Sequence, residues 1–297
     1  MTEAIKYSKI HAFTEHAAAV YTLQFDGKFL YSGSGDKYVV RWDVEQKQQD
    51  KFAIQLPLTP YCIQLFDNNT KLAVGLSNGD VHFFDLENRK EIKYIRLHKA
   101  GVFSMDENKA KRHLYISDAD GLLSVWDIDT LTLLLQLPFD SDKIRKIVVS
   151  NDEETLYLCC KDGYVRSVET TYFNQKVEFY AHSDGVGTIL EWDENTLITG
   201  GKDAIIRLWD KTTKKQIKAL PAHNYMIYNL VKLNEHTLVS SSRDKSIKIW
   251  NIPQWTVAQK IEYKHGGHRH SVNNITPINE NTFASASDDS NIILWGI

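Results

Sequence analysis

The chain has 297 residues, 42 % of them hydrophobic and 25 % charged, the profile of a globular protein with a substantial core. Its 35 Lys and Arg against 38 Asp and Glu leave a net charge of −3, which excludes a generally basic nucleic-acid coat protein but not a local basic patch. No apolar run is long enough to predict a membrane-spanning helix. The opening MTEAIKYSKI lacks the basic-then-apolar order of a signal peptide. Three cysteines, Cys62, Cys159 and Cys160, suit neither a disulfide framework nor a zinc site, so a reducing, cytoplasmic setting is expected.

One pattern recurs seven times. The first copy sets Asp36 six residues before Trp42, and the second has Asn78 and Phe84 in those places. The third has Asp120 and Trp126, and the fourth Asp162 and Val168. Asp203 and Trp209, Asp244 and Trp250, and Asp289 and Trp295 complete the series. The marker intervals are 42, 42, 42, 41, 41 and 45 residues. Around each marker, apolar residues alternate with polar ones at period 2, as in Val39 to Asp43, which predicts a half-buried strand. Similar strands precede it, such as Val20–Phe25 and Thr196–Gly201, and another follows, such as residues 216–220. No window has a helical period. A histidine stands upstream in five copies: His16, His98, His182, His223 and His268. Pro57 and Asp140 hold its place in the second and fourth. Four strands per copy at this period predict propeller blades.

These residues together resemble the WD-repeat family. The Trp-Asp pair is literal at Trp42–Asp43, Trp126–Asp127 and Trp209–Asp210, and drifted in the other copies. The resemblance covers residues 8–297 and implies an all-β fold: a seven-bladed β-propeller of four-stranded antiparallel blades, one domain over residues 1–297. Only Gly296 and Ile297 follow Trp295, so the seventh copy lacks its last strand. Residues 8–16 align with 215–223 and are expected to supply that strand from the N-terminus, closing the last blade.

Four copies hold a complete polar set: His16, Ser32, Asp36, Trp42; His182, Thr199, Asp203, Trp209; His223, Ser240, Asp244, Trp250; and His268, Ser285, Asp289, Trp295. Ser, His and Asp suggest a hydrolase. Recurrence at equal intervals instead suits the buried structural network that the resemblance implies. The second, third and fourth copies lack parts of the set and are expected to be the softer blades. His265, His268 and His270 lie without acids or cysteines at ligand spacing, so no metal, cofactor or catalytic residue is assigned. Trp192 and Trp255 fall outside the marker and read as core packing or as surface anchors.

The resemblance implies a non-enzymatic scaffold that holds partners at the top face. In each blade the family's three top-face positions lie three and five residues after the histidine and directly before the turn Asp. Carried over, they give Ala19, Tyr21 and Gly35 in the first blade and Pro60, Cys62 and Ser77 in the second. Phe103 falls in the third, Lys143, Arg145 and Lys161 in the fourth, and Lys202 in the fifth. Met226, Tyr228 and Arg243 fall in the sixth, and Ser271, Asn273 and Asp288 in the seventh. Lys143, Arg145, Lys161, Lys202 and Arg243 thus form a basic arc, with Asp288 as a candidate neutraliser of Arg243 and with Tyr228, Met226, Tyr21 and Phe103 beside it. An acidic or phosphorylated segment of a partner protein is the expected ligand. The alternative is an RNA- or ribosome-associated adaptor that uses the same arc. The chain itself is expected to be a monomer with no membrane partner.

Overall fold

The computed structural model describes residues 6–297. Its strands form seven separate four-stranded antiparallel sheets, the blades of a seven-bladed β-propeller. Blades 1 to 6 are each built from four consecutive strands, over residues 20–55, 60–95, 102–138, 144–180, 186–221 and 227–261. Blade 7 combines Val272–Asn279, Thr282–Ser287 and Ile292–Gly296 with the N-terminal strand Ser8–Phe13. The helical content is a single turn of 3-10 helix among the described residues, Tyr263–His265, ended by Gly266 at φ 82°.

The burial pattern explains the composition of each strand. The second strand of every blade is half-buried at its first residue and buried at the next five, as in Phe29–Ser34 and Thr155–Cys160. A strand covered on both faces needs apolar and small side chains throughout, not alternation. Ser, Gly, Ala and Cys therefore fill positions that larger groups could not share. The fourth strands are largely exposed, as in Gln216–Pro221, and carry the polar residues. Between the second and third strands the chain reverses through a residue with positive φ in all seven blades. Gly79, Gly121 and Gly163 take it at 97°, 81° and 92°, and Lys37, Ala204, Lys245 and Ser290 at 64–71°.

The described chain forms two compact units. One comprises the described residues up to Pro60 together with His223–Ile297, and the other is Tyr61–Ala222. In the first unit, Ser8–Phe13 pairs antiparallel with Ile292–Gly296, Phe13 opposite Ile292, as the alignment of the termini predicts. Its neighbours are anchored as well. The Tyr7 amide donates to Gln259 of blade 6 at 2.9 Å, and the Gln259 side chain donates back to the Tyr7 carbonyl at 2.8 Å. Phe13 and Trp42 share one core cluster with Val20, Leu30, Ile292 and Leu294. In the second unit, Tyr115, Leu123 and Val125 of blade 3 pack with Ile144, Ile147 and Leu158 of blade 4. Trp192 is buried and belongs to the packed interior, whereas Trp255 is half-buried. Cys62, Cys159 and Cys160 are buried free thiols.

Candidate functional site

A single backbone device shapes one end of the blades. In six of them the pairing between first and second strands slips at the second residue of the first strand. The bulged residues are Tyr21, Phe103, Arg145, Gly187, Tyr228 and Asn273. A bulge leaves its extra residue out of the ladder and re-aims the side chain. Next to it, the residue before the turn donates its amide across to the residue before the strand. These bonds are Gly35 to Ala19 (2.8 Å), Lys161 to Lys143 (2.9 Å), Lys202 to Gly185 (3.0 Å), Arg243 to Met226 (3.0 Å) and Asp288 to Ser271 (3.1 Å). The three sequence-derived positions of a blade therefore meet at one end of that blade.

Blade 2 departs from the sequence expectation by one residue. Cys62 is buried, and burial drives its thiol pKa up to about 12. Pro60 is the first buried residue of its strand, in the place that Val20 holds in blade 1. The residue corresponding to Tyr21 is Tyr61. Counting from Pro57 moved the register by one, and in a strand that reverses the face.

Within the Tyr61–Ala222 unit the predicted residues form a compact aromatic and cationic cluster. The Phe103 ring stacks on Tyr61, centroids 5.4 Å apart and planes at 20°. Lys143 Nζ stands 4.3 Å from the Phe103 centroid and the Arg145 guanidinium 6.0 Å from it. The Lys143 pKa is held down by partial burial and then by the charges of Arg145 and Lys161. Lys161 Nζ contacts Asp142 at 2.9 Å, both side chains being exposed, so this contact neutralises it only weakly. Lys202 is exposed. Nearby, Asp106 accepts from the amides of Val149 (2.8 Å) and Glu107 (2.9 Å). Burial still pushes its pKa up to about 6, against those amides and Lys146.

In the other unit, Tyr21, Met226 and Tyr228 are half-buried and Arg243 is exposed. Asp288 accepts from Asn273 Nδ2 at 2.8 Å, while the same amide nitrogen donates to the Val20 carbonyl at 3.0 Å. Asp288 is thus engaged by Asn273. Arg269 stacks on Tyr263 and donates to its hydroxyl at 2.6 Å.

The polar networks are complete in five blades, one more than the sequence suggests. In blade 1, His16 Nδ1 meets Asp36 at 2.7 Å, His16 Nε2 meets Ser32 Oγ at 2.7 Å, and the Trp42 indole donates to Ser32 at 2.7 Å. His182–Asp203–Thr199–Trp209, His223–Asp244–Ser240–Trp250 and His268–Asp289–Ser285–Trp295 repeat this. Blade 3 builds the same set from His98, Asp118, Ser124 and Trp126. Asp120, the sequence candidate, is exposed. Blade 3 therefore does not lack the network; among the described residues, blades 2 and 4 do. In blade 4, Asp162 instead binds Arg166, at 3.1 and 2.6 Å.

The proton positions follow from the inventory of donors. An indole nitrogen only donates, so the hydroxyl accepts from it and gives its own proton to Nε2. That leaves Nδ1–H to face the carboxylate, except in blade 5, where the Arg207 guanidinium also reaches His182 Nδ1, at 2.6 Å. Burial pulls the pKa of His182 and His223 down, outweighing the aspartates beside them. Burial alone would raise the five aspartate pKa values, but hydrogen bonds and charge from the histidines, with backbone amides, hold them below the usual range. The order of groups is that of a hydrolytic triad. Ser32, Ser124, Thr199, Ser240 and Ser285 are each 0 % exposed and already bound on both sides, so substrate cannot reach them.

The family model described as WD domain, G-beta repeat, matches residues 7–43, 173–210, 214–251 and 259–296, just over half of the chain. Similar proteins include WD repeat-containing protein 55 of Mus musculus, 26 % identical over 148 residues, which are 47 % of this chain and 38 % of that protein. The Homo sapiens protein of the same name is 26 % identical, over 47 % of this chain and 39 % of its own length. Telomerase protein component 1 of Rattus norvegicus is 24 % identical over 143 residues, 48 % of this chain. The matches span under two fifths of the curated relatives' length, and 5 % in the telomerase component. With the repeat matched in four places and its fold present in all seven blades, the chain belongs to the WD-repeat family.

Proposed function

We propose that this chain is a non-enzymatic protein–protein interaction scaffold, acting in the cytoplasm, that binds an acidic or phosphorylated segment of a partner protein. The carrying observation is the pair of cations, Lys143 and Arg145, set over the Phe103 ring that stacks on Tyr61, with the Lys143 pKa held down by burial and then by the charges of Arg145 and Lys161. The cations repel one another, and an anion placed among them relieves that repulsion. A guanidinium adds bidentate contacts to carboxylate or phosphate. The aromatic pair supplies a rigid apolar floor for the partner's neighbouring residues. The bulge fixes Arg145 on a sheet, so little ordering entropy is lost on binding.

A second reading, RNA or ribosome association, draws on the same pairing of cations with aromatic faces, which is also a base-stacking surface. Affinity capture from native lysate, with half the sample treated with nuclease, separates the two. The scaffold reading expects the main captured protein to survive nuclease. Loss of all captured material on nuclease treatment would overturn it in favour of RNA. A steep fall of affinity with salt in the untreated half would agree with that outcome.

A further inference from the structure

The fourth strand of each blade lies at the end of its sheet and has no ladder partner on its outer side. Such edges are templates for pairing with another chain, and lysines along them block it. Five of the seven carry a lysine, Lys9, Lys51, Lys93, Lys218 and Lys260, and the blade 4 edge carries the exposed charge of Glu178. The exception is Leu133–Pro138 of blade 3, with the sequence LLLQLP and no charge along its length. Leu135 and Leu137 pack inward against the blade 3 and blade 4 core, while Leu133 and Leu134 stand 37 % and 49 % exposed.

We propose that the Leu133–Pro138 edge pairs antiparallel with the same edge of a second copy of this chain. Charge selects this occupant. An antiparallel pairing about a twofold axis sets a strand against itself. Each of the other six edges would then carry charged side chains of both copies into the seam, whereas this edge brings leucine and glutamine against leucine and glutamine. The ladder supplies main-chain hydrogen bonds, and Leu134 buries against its symmetry mates. Two six-residue strands cover less than the ~1,200 Å² typical of stable complexes, so the pair is weak, with Kd on the order of 100 μM. Pro138 lacks an amide donor and limits the ladder to one strand length.

Sedimentation velocity of the full chain from about 5 to about 500 μM tests this. The wild type is expected to shift from monomer to dimer over that range, with the Gln136 amide gaining protection from hydrogen exchange as it does so. Leu134→Lys is expected to remain monomeric. Ile217→Lys, at a 60 % exposed position on an edge that already carries lysine, is expected to dimerise like the wild type. If Leu134→Lys fails to fold, Gln136→Lys serves at another exposed position of the strand. A wild type that stays monomeric throughout, or a folded Leu134→Lys that dimerises unchanged, overturns the proposal. So does a monomer that instead takes up a synthetic alternating Leu-Thr peptide, since that assigns the edge to a foreign strand.

Discussion

Trp126 donates its indole N–H to Ser124, two residues earlier on the same strand, at 2.8 Å. In the other four networks the hydroxyl belongs to the preceding strand, as with Ser32 and Trp42. Ser124→Ala leaves the indole and His98 Nε2 without a partner in a fully buried place, and is expected to cost about 1–3 kcal/mol. Asp120→Ala, at the exposed turn position, is expected to stay within about 0.5 kcal/mol. Urea denaturation of the two variants checks this. Equal losses would mean that the blade 3 network does not stabilise its blade.

Asp203 and Asp162 occupy equivalent turn positions but differ in what they hold. Asp203 accepts from His182, Arg207 and the Ile205 amide. Asp162 holds a more exposed ion pair with Arg166. Asp203→Ala is expected to lose about 2 kcal/mol or more, and Asp162→Ala about 1 kcal/mol or less. Denaturant midpoints rank the two, and an inverted order would contradict the network account.

The N-terminal strand ties three blades together through Tyr7, its ladder to Ile292–Gly296, and Phe13. The Phe13 ring is 1 % exposed and lies 4.9 Å from Trp42, centroid to centroid. Phe13→Ala is expected to cost about 3–5 kcal/mol. Deletion of residues 1–13 is expected to cost more, since a whole ladder is lost. Calorimetry that found the truncated chain melting within about 2 °C of the intact one would refute closure by this strand.

Stability should fall on acidification in two stages. His182 and His223 have folded pKa values below 6.5, so the unfolded chain takes up protons first. Their contribution is complete above about 6.5 and is lost as pH falls towards the folded values. The five network aspartates, also depressed, keep their contribution above about 3.8 and lose it as pH falls through the folded values. Asp106 works in reverse. With its pKa raised to about 6, its contribution is present below about 3.8 and lost as pH rises through 6. In an Asp106→Asn variant, where that opposing carboxyl is removed, the melting temperature is expected to drop between pH 7 and 5. A flat profile there would contradict neutral, buried histidines.

The fold was readable because the repeat is redundant: seven spaced markers give the blade count even where Phe84 and Val168 replace tryptophan. The aligned termini likewise foretold the pairing of Ser8–Phe13 with Ile292–Gly296. The blade 3 set is not legible in the motif spacing because a network is defined in space. Asp118 and Ser124 reach His98 from places that the motif spacing does not assign. Tyr61 was missed for a different reason. Without a histidine, blade 2 offered no reliable origin for counting, and an error of one residue points a strand position to the opposite face. The Asp142–Lys161 contact joins two connections distant in sequence, and no local pattern signals it.

The central claim concerns Lys143 and Arg145. The direct measurement is the affinity of the main nuclease-resistant captured protein for the wild type and for Lys143→Glu combined with Arg145→Glu. Both side chains are half-buried at a strand end and outside the polar networks, so the variant is expected to melt within about 2 °C of the wild type. Its affinity is expected to fall at least tenfold, about 1.4 kcal/mol, and the remaining binding to depend less on salt. A folded double variant that holds the same partner with undiminished affinity would show that this cluster is not the binding site.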